Sequence, residues 1–299
     1  MKRFRMANAG SLLVVILVVS TSAGLARGDD GIRVQEVIEG PVRWTGDVVI
    51  DGVVIVRDGG ELTVGPGTKV AFVPRDIDGD GIGDSELRVE GAIRVNGTAK
   101  SPVVFTSAGK DPEPADWKYV MINHAREAQV SYAIFEYAFS GVQIHYTRGK
   151  FTRIVSRHNV DGFRFSTAPV VLEDSWIEGN DNGIRFEERG SGATISDNVI
   201  IRNRNGIFAV VKCRGLTEFS GNIIENSVGY NVKLGDRQNS DLNLAGNWWG
   251  SSDRSEISSS FFDGRVEPDL GMVLFEPYLD KRPRADEAEV KDSERWFNQ

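Results

Sequence analysis

The stretch Asn180-Asp181-Asn182-Gly183 is one of four copies of the same phrase in the middle of this chain. The other copies are Asn159-Val160-Asp161-Gly162, Asn203-Arg204-Asn205-Gly206 and Asn226-Ser227-Val228-Gly229. Successive copies begin 21, 23 and 23 residues apart. A period in the low twenties, built from strand-like pieces and Asn/Gly turns, is typical of a solenoid.

Apolar and polar residues alternate after each Gly of the phrase, as in Ile184-Arg185-Phe186-Glu187. Alternation of this kind predicts a strand with one buried face. We therefore expect two inward rows, each with one residue per coil. The first row is predicted to hold Val142, Phe163, Ile184, Ile207 and Tyr230, and the second Ile144, Phe165, Phe186, Ala209 and Val232.

A second type of strand precedes each copy of the phrase, for example 171–177. It places Ser175, Asn198, Asn222 and Asn247 at equivalent positions, while Asn159, Asn180, Asn203 and Asn226 form another set. Asn tolerates left-handed backbone and bonds nearby backbone groups. We expect one Asn per coil to stack in a ladder of amides, which we favour over an interpretation of these residues as ligand contacts.

These features resemble right-handed parallel β-helix repeat proteins, the group that includes pectate-lyase-like folds and NosD-type repeat proteins. The stretch 45–107, with Pro66-Gly67-Thr68 and Pro102-Val103-Val104-Phe105-Thr106, resembles the N-terminal coils of secreted members. The stretch from Asn247-Trp248-Trp249-Gly250 to Phe275-Glu276-Pro277-Tyr278-Leu279 resembles their closing segment. The resemblance implies an all-β solenoid with capped ends over 32–279. It implies little about activity, because this architecture carries lyases, hydrolases, adhesins and scaffolds alike.

The two ends of the chain differ from the repeats. Lys2, Arg3 and Arg5 precede the apolar run 12–19 and small residues up to Ala26, which predicts a signal peptide over 1–26 and an extracytoplasmic protein, periplasmic or secreted. The apolar run is short for a membrane anchor. We interpret 247–279 as a cap in which Trp248 and Trp249 cover the last coil, rather than as a platform for sugar stacking, and 280–299 as a charged tail.

Charge and cysteine content exclude some classes of function. Removing three cations with the signal peptide takes the formal charge from −8 to −11. Nucleic acid is therefore not expected as a partner, because phosphate contacts need clustered Lys and Arg. The single cysteine, Cys213, rules out an intrachain disulfide.

The sharpest chemical motif is the loop Asp76-Ile77-Asp78-Gly79-Asp80-Gly81-Ile82-Gly83-Asp84. It resembles the DxDxDG calcium loops of EF-hand, dockerin and thrombospondin-repeat proteins. We expect a structural Ca²⁺ held by Asp76, Asp78, Asp80, Asp84 and the Ile82 carbonyl, because Ca²⁺ prefers six to eight oxygen ligands. Leu87 stands where an EF-hand carries its bidentate Glu, so a complete EF-hand is not expected. A solvated acidic turn is the alternative.

The outward residues of the strands after each Gly give a candidate contact strip for an acidic sugar. We select Gln143, His145, Arg164, Arg185 and Glu187, which are predicted to lie in two exposed columns with neighbouring coils about 4.8 Å apart. One column is expected to run through Gln143, Arg164, Arg185, Phe208 and Asn231, and the other through His145, Ser166, Glu187, Val210 and Lys233. An ordinary solvated face remains the alternative.

No catalytic residues are assigned. Asp161 and Asp181 sit in predicted turns, where Asp is common for local reasons, and the Gly-His-Gly and Arg-Ile-Lys patterns of polygalacturonase-like enzymes do not occur. Three His, one Cys and four Met give no copper cluster of the kind the NosD resemblance would require. The predicted function is a non-catalytic scaffold that binds carbohydrate or a cell-surface component. The alternative is a polysaccharide lyase or glycoside hydrolase that acts on an acidic polysaccharide.

Overall fold

A computed structural model describes residues 31–33 and 36–284 of the chain, without the side chains of 31–33. The predicted signal peptide 1–26, and the tail from 285 onward, lie outside the described residues. The described chain winds through three long sheets in which every paired strand runs parallel to its neighbours. The predicted fold class, an all-β right-handed parallel β-helix, is confirmed.

The sheets take their strands in strict rotation, so that consecutive strands belong to different sheets. Sheet 1 contains β1 (Gly31–Arg33), β4 (Asp47–Ile50), β7 (Lys69–Phe72), β10 (Val103–Ser107), β13 (Ala133–Glu136), β16 (Val155–Arg157), β19 (Trp176–Glu178), β22 (Val199–Ile201) and β25 (Ile223–Glu225). Sheet 2 contains β2 (Val37–Ile38), β5 (Val53–Val56), β8 (Glu86–Val89), β11 (Trp117–Asn123), β14 (Ala138–His145), β17 (Asp161–Ser166), β20 (Asn182–Glu187), β23 (Asn205–Val211), β26 (Tyr230–Leu234) and β28 (Phe261–Phe262). Sheet 3 contains β3 (Pro41–Trp44), β6 (Glu61–Val64), β9 (Ala92–Asn96), β12 (Glu127–Ser131), β15 (Gly149–Thr152), β18 (Val170–Glu173), β21 (Thr194–Ser196) and β24 (Glu218–Ser220). The remaining elements are β27 (Leu242–Asn243), which pairs with β29 (Val273–Leu274), and the helix α1 (Arg254–Ser259).

Each coil has three strands rather than the two types predicted. The stretch 171–177, expected to form one strand, is divided at Asp174, where the backbone is left-handed (φ 51°). Asp197 and Gly221 have positive φ at the equivalent corners of the next two coils. Asp and Gly adopt this conformation more readily than most residues, so the chain turns there from sheet 3 to sheet 1.

The core is a set of inward rows that run along the solenoid. Val142, Phe163, Ile184 and Ile207 pair in one row, and Ile144, Phe165, Phe186 and Ala209 in the next, all with 1% exposure or less. Phe165 and Phe186 stack with ring centroids 5.2 Å apart. Burying such side chains stabilises the fold by about 1.5–3 kcal/mol each.

The last predicted step of both rows is wrong by two residues. Val232, not Tyr230, pairs with Ile207, and Leu234 takes the position predicted for Val232. This coil is longer than the one before it: Tyr230 pairs with Asn205, 25 residues earlier, whereas Asn205 pairs with Asn182, 23 residues earlier. Tyr230 instead lies opposite Asn205, so an alignment on the Gly residues fails at this coil.

Two ladders of buried polar side chains form hydrogen bonds between neighbouring coils. Asn159 accepts from the Ala138 N–H (2.8 Å), and Asn180 and Asn203 repeat the contact one and two coils later. The second ladder runs through Ser175, Asn198, Asn222 and Asn247, with N–H···O distances of 3.0–3.1 Å. The predicted stacking is confirmed except for Asn226, which is exposed and lies outside the ladder.

The ladder explains why a Gly follows each of these Asn residues. A Cβ on Gly183 would lie 2.6 Å from the Gly206 carbonyl oxygen and 2.8 Å from Asn203 Nδ2. A Cβ on Gly162 meets the same obstacle one coil earlier. The repeated phrase thus corresponds to one structural unit. Its Asn fills the corner of one coil, and its Gly leaves room for the Asn of the following coil.

The segment that follows Asn247 packs on the last coils. Trp249 is 3% exposed and meets Phe261 edge-on at 5.0 Å, while Trp248 packs on Val199, Ile201 and Ile223. Within the predicted cap 247–279, the chain forms helix α1 and then strand β28, which extends sheet 2. Within the described residues, no helix has the length and hydrophobicity needed to cross a membrane.

Candidate functional site

The outward side of sheet 2 carries the candidate contact strip. Gln143, Arg164, Arg185 and Phe208 pair in one column on β14, β17, β20 and β23, as predicted. The next member is Lys233 rather than Asn231, because of the register change before β26. In the neighbouring column, His145, Ser166 and Glu187 pair as predicted, but a bulge places Val211 rather than Val210 opposite Glu187.

Four of the five selected residues line one cavity of about 210 Å³. They are His145, Arg164, Arg185 and Glu187, joined by Tyr146 and Arg189 on the rim side. Tyr146 is 54% exposed and stacks on His124 at 4.6 Å. Glu187 is ion-paired with Arg189. The guanidinium groups of Arg164 and Arg185 therefore make the cavity positively charged.

A carboxylate that was predicted to lie in a turn lies beneath both arginines. Asp161 has a fully buried side chain, and its Oδ2 lies 3.2 Å from Arg185 Nη1 and 3.6 Å from Arg164 Nη1. Its Oδ1 accepts from Asn182 Nδ2 at 2.9 Å. One buried carboxylate thus holds two arginines on adjacent coils. The pKa of Arg164 is lowered, mainly because the side chain is partly buried and also because Arg185 repels it.

The fifth selected residue, Gln143, supports the cavity without lining it. The prediction that Gln143 is exposed is wrong: it is 8% exposed, and its Nε2 donates to His145 Nε2 at 2.9 Å. Burial and the positive charge of Arg164 lower the pKa of His145. The ring is therefore neutral at pH 7, with Nε2 available as the acceptor for Gln143.

The predicted calcium loop is brought together in part. Carboxylate oxygens of Asp76, Asp78 and Asp84 lie within 4.8 Å of one another, whereas the carboxylate of Asp80 accepts from the Ile82 N–H at 2.8 Å and is not a member of this group. Hard oxygen donors at this density fit Ca²⁺. Asp84 also binds Lys118 Nζ at 2.7 Å, and this contact, with the Ile77 N–H, lowers the pKa of Asp84.

The loop is fixed to the solenoid at its C-terminal end. The Gly83 N–H donates to the Ala115 carbonyl at 2.9 Å and the Asp84 N–H to the Arg75 carbonyl at 2.7 Å. A Cβ on Gly83 would lie 1.8 Å from the Asp116 carbonyl oxygen, so only Gly fits there. The position of Asp84 is thus set by the coils, while Asp76 and Asp78 lie on the exposed part of the loop.

Comparison with known proteins agrees with this architecture. Residues 117–248 match a family model described as a right-handed beta helix region, and residues 42–137 match a model described as a pectate-lyase like beta helix domain. No curated protein and no solved structure matches the chain. The matches overlap at 117–137 and lie within the coils described above. With three all-parallel sheets wound in rotation, they show that this chain belongs to the right-handed parallel β-helix repeat proteins.

Proposed function

We propose that this protein is an extracytoplasmic, non-catalytic β-helix that binds an acidic carbohydrate of a cell surface or polysaccharide. The observation that carries the proposal is the pair Arg164 and Arg185, held side by side over the buried carboxylate of Asp161. Arg presents a planar fork of donors that suits a carboxylate, and the shared anchor reduces the conformational entropy lost on binding.

The surroundings of the arginine pair support a sugar rather than a small inorganic anion. The cavity of about 210 Å³ is larger than a single ion needs. Tyr146, Gln143 and neutral His145 add an aromatic ring and uncharged polar groups close to the cations. Sugars present hydroxyls and apolar ring faces together, so a site of this mixed composition suits them.

The acids around the cavity favour binding over hydrolysis. Glycoside hydrolysis generally needs two carboxylates that flank the bond to be broken. Glu187 is the one carboxylate among the residues that line the cavity, and Arg189 neutralises it. Asp161 is buried behind the arginines rather than facing the cavity.

A binding assay against acidic and neutral glycans tests this function. Wild-type protein is expected to bind acidic members, and Arg164→Ala/Arg185→Ala is expected to lose that binding while it keeps its fold. Equal binding by both proteins would reject the strip. Incubation with polysaccharides, followed by assays for new reducing ends and unsaturated uronate absorbance, separates the binding protein from the lyase or hydrolase alternative.

We further propose that Ca²⁺ orders the loop 76–84 in a structural role. Asp76, Asp78 and Asp84 would supply carboxylate oxygens, and the bound ion would offset their mutual repulsion. Lys118 already neutralises part of the charge of Asp84, so the site combines one fixed lysine with one exchangeable cation.

A further inference from the structure

The outward column of sheet 2 continues beyond the cavity toward the C-terminal end. Phe208 follows Arg185 on the next strand, Lys233 follows Phe208, and Phe262 follows Lys233. With Arg164 they form a line across β17, β20, β23, β26 and β28, five consecutive strands of the sheet. All of these side chains are half-buried. We call this line the cation–aromatic column.

The aromatic rings of the column hold its cations in place. The Phe208 ring lies between Arg185, with Cζ 5.6 Å from the ring centroid, and Lys233, with Nζ 5.5 Å away. The same Lys233 Nζ lies 5.9 Å from the Phe262 centroid. Contacts of this length are attractive because the ring face carries negative potential. They also keep the ammonium group on the line of the arginines.

The column carries more positive than negative charge. Arg164 and Arg185 share the single carboxylate of Asp161. Within the described part of the chain, no carboxylate lies within 4.0 Å of the Lys233 ammonium. This local excess occurs on a chain with a formal charge of −8, where a random surface would be acidic. A half-buried cation held only by rings is incompletely solvated and favours an anionic partner.

The spacing of the cations indicates the shape of that partner. Arg164 and Arg185 lie on adjacent coils, about 4.8 Å apart along the axis, and Lys233 lies two coils beyond Arg185, about 10 Å away. We propose that the column binds a linear acidic polysaccharide that lies along the solenoid axis. One acidic group occupies the Arg164/Arg185 cavity and a later one meets Lys233. This inference rests on the proposed function, and it adds Phe208, Lys233 and Phe262 to the binding surface.

Dependence of affinity on ligand length tests the column. Isothermal titration calorimetry is run with galacturonate and glucuronate series of one to six residues, a neutral hexasaccharide and a single-stranded oligonucleotide. The wild-type protein is expected to bind an acidic hexamer at least about tenfold more tightly than the monomer, because the second contact becomes intramolecular. Lys233→Met is expected to weaken hexamer binding about fivefold and to leave monomer binding unchanged, as fits the loss of one half-exposed ion pair.

Lys69→Met is the matched control, since it removes the same charge from an exposed position on sheet 1. Acidic saccharides that bind with dependence on Arg164 and Arg185, but equally at all lengths or equally to Lys233→Met, would overturn this inference and leave the proposed function standing. Absence of binding to every acidic saccharide would overturn both. Tighter binding of the oligonucleotide, lost in Lys233→Met, would replace the polysaccharide with nucleic acid.

Discussion

The guanidinium of Arg185 lies 3.2 Å from the carboxylate of Asp161, a residue one coil earlier whose side chain is fully buried. Asp161 also lies 3.6 Å from Arg164, so a single negative charge spans two coils. In a parallel β-helix, residues at equivalent positions of successive coils pair by register, and the fold therefore turns a repeat in sequence into a column in space. The candidate site is such a column with one acid beneath it.

Replacing Asp161 with Asn is expected to lower the free energy of unfolding by about 1–3 kcal/mol, because two half-buried arginines lose their shared partner. It is also expected to weaken binding of an acidic glycan, since the guanidinium groups lose their fixed positions. Urea denaturation and calorimetry measure the two effects. The control is Asp181→Asn, an exposed Asp in the next turn. Similar losses in both variants would show that Asp161 has no special role.

The buried amide ladder makes a second prediction about stability. Asn198 is 1% exposed, accepts from the Ser175 N–H and donates to the Leu172 carbonyl, so Asn198→Ala removes a partner from each of two buried backbone groups. We expect a loss of about 1–3 kcal/mol per unsatisfied buried group. Thermal and urea unfolding provide the measurement, with Asn96→Ala at the exposed end of β9 as the control. An Asn198→Ala protein as stable as the control would contradict the structural role of the ladder.

Much of this fold can be predicted from the sequence, because the solenoid repeats its solutions. The phrase at Asn180 and Gly183 shows both the ladder and the close approach of the next coil, since only Gly leaves room for the amide of Asn203. The inward rows follow from alternation alone. Both patterns are local, and each coil repeats them.

Three features escaped prediction because hydrophobic periodicity does not reveal them. The corner at Asp174 could not be predicted, because its left-handed backbone does not interrupt the alternation of apolar and polar residues in 171–177. The longer coil before β26 shifts its register by two residues relative to the Gly alignment, which places Lys233 in the column predicted for Asn231. Asp161 has the sequence of a turn acid, and only the arginines that cover it distinguish it from Asp181.

Calcium is expected to raise the melting temperature of the protein, because an ion that binds only the folded state stabilises it by mass action. Asp76→Asn/Asp78→Asn is expected to abolish the increase, since it removes two of the three clustered carboxylates. Asp80→Asn is expected to reduce it less, because that carboxylate lies outside the cluster. Differential scanning calorimetry in calcium and in chelator measures the effect. Identical melting curves for the wild-type protein in the two solutions would reject the site.

Lys118 is expected to compete with Ca²⁺ for the carboxylate of Asp84. Lys118 Nζ lies 2.7 Å from Asp84 Oδ1 and so competes with any cation for the same carboxylate. Lys118→Met is therefore expected to strengthen calcium binding about fivefold, the upper end for a partly exposed ion pair. Isothermal titration with Ca²⁺ gives the affinity, and Lys110→Met, an exposed lysine outside the loop, is the control. Unchanged or weaker calcium binding by Lys118→Met would show that the lysine supports the site rather than competing for it.

Two partly buried histidines predict how stability depends on pH. Burial lowers the pKa of His145, aided by Arg164, and burial lowers the pKa of His158, aided by Arg157. Below the ordinary His pKa of about 6.5, the unfolded chain then binds more protons than the folded one, so the free energy of unfolding falls as pH decreases from about 7.5 to 5.5. Replacing His158 with Gln removes one of these groups and is expected to flatten the fall. Urea unfolding at several pH values measures the slope, and a wild-type protein whose stability is constant or rises toward pH 5.5 would contradict the lowered pKa of the two rings.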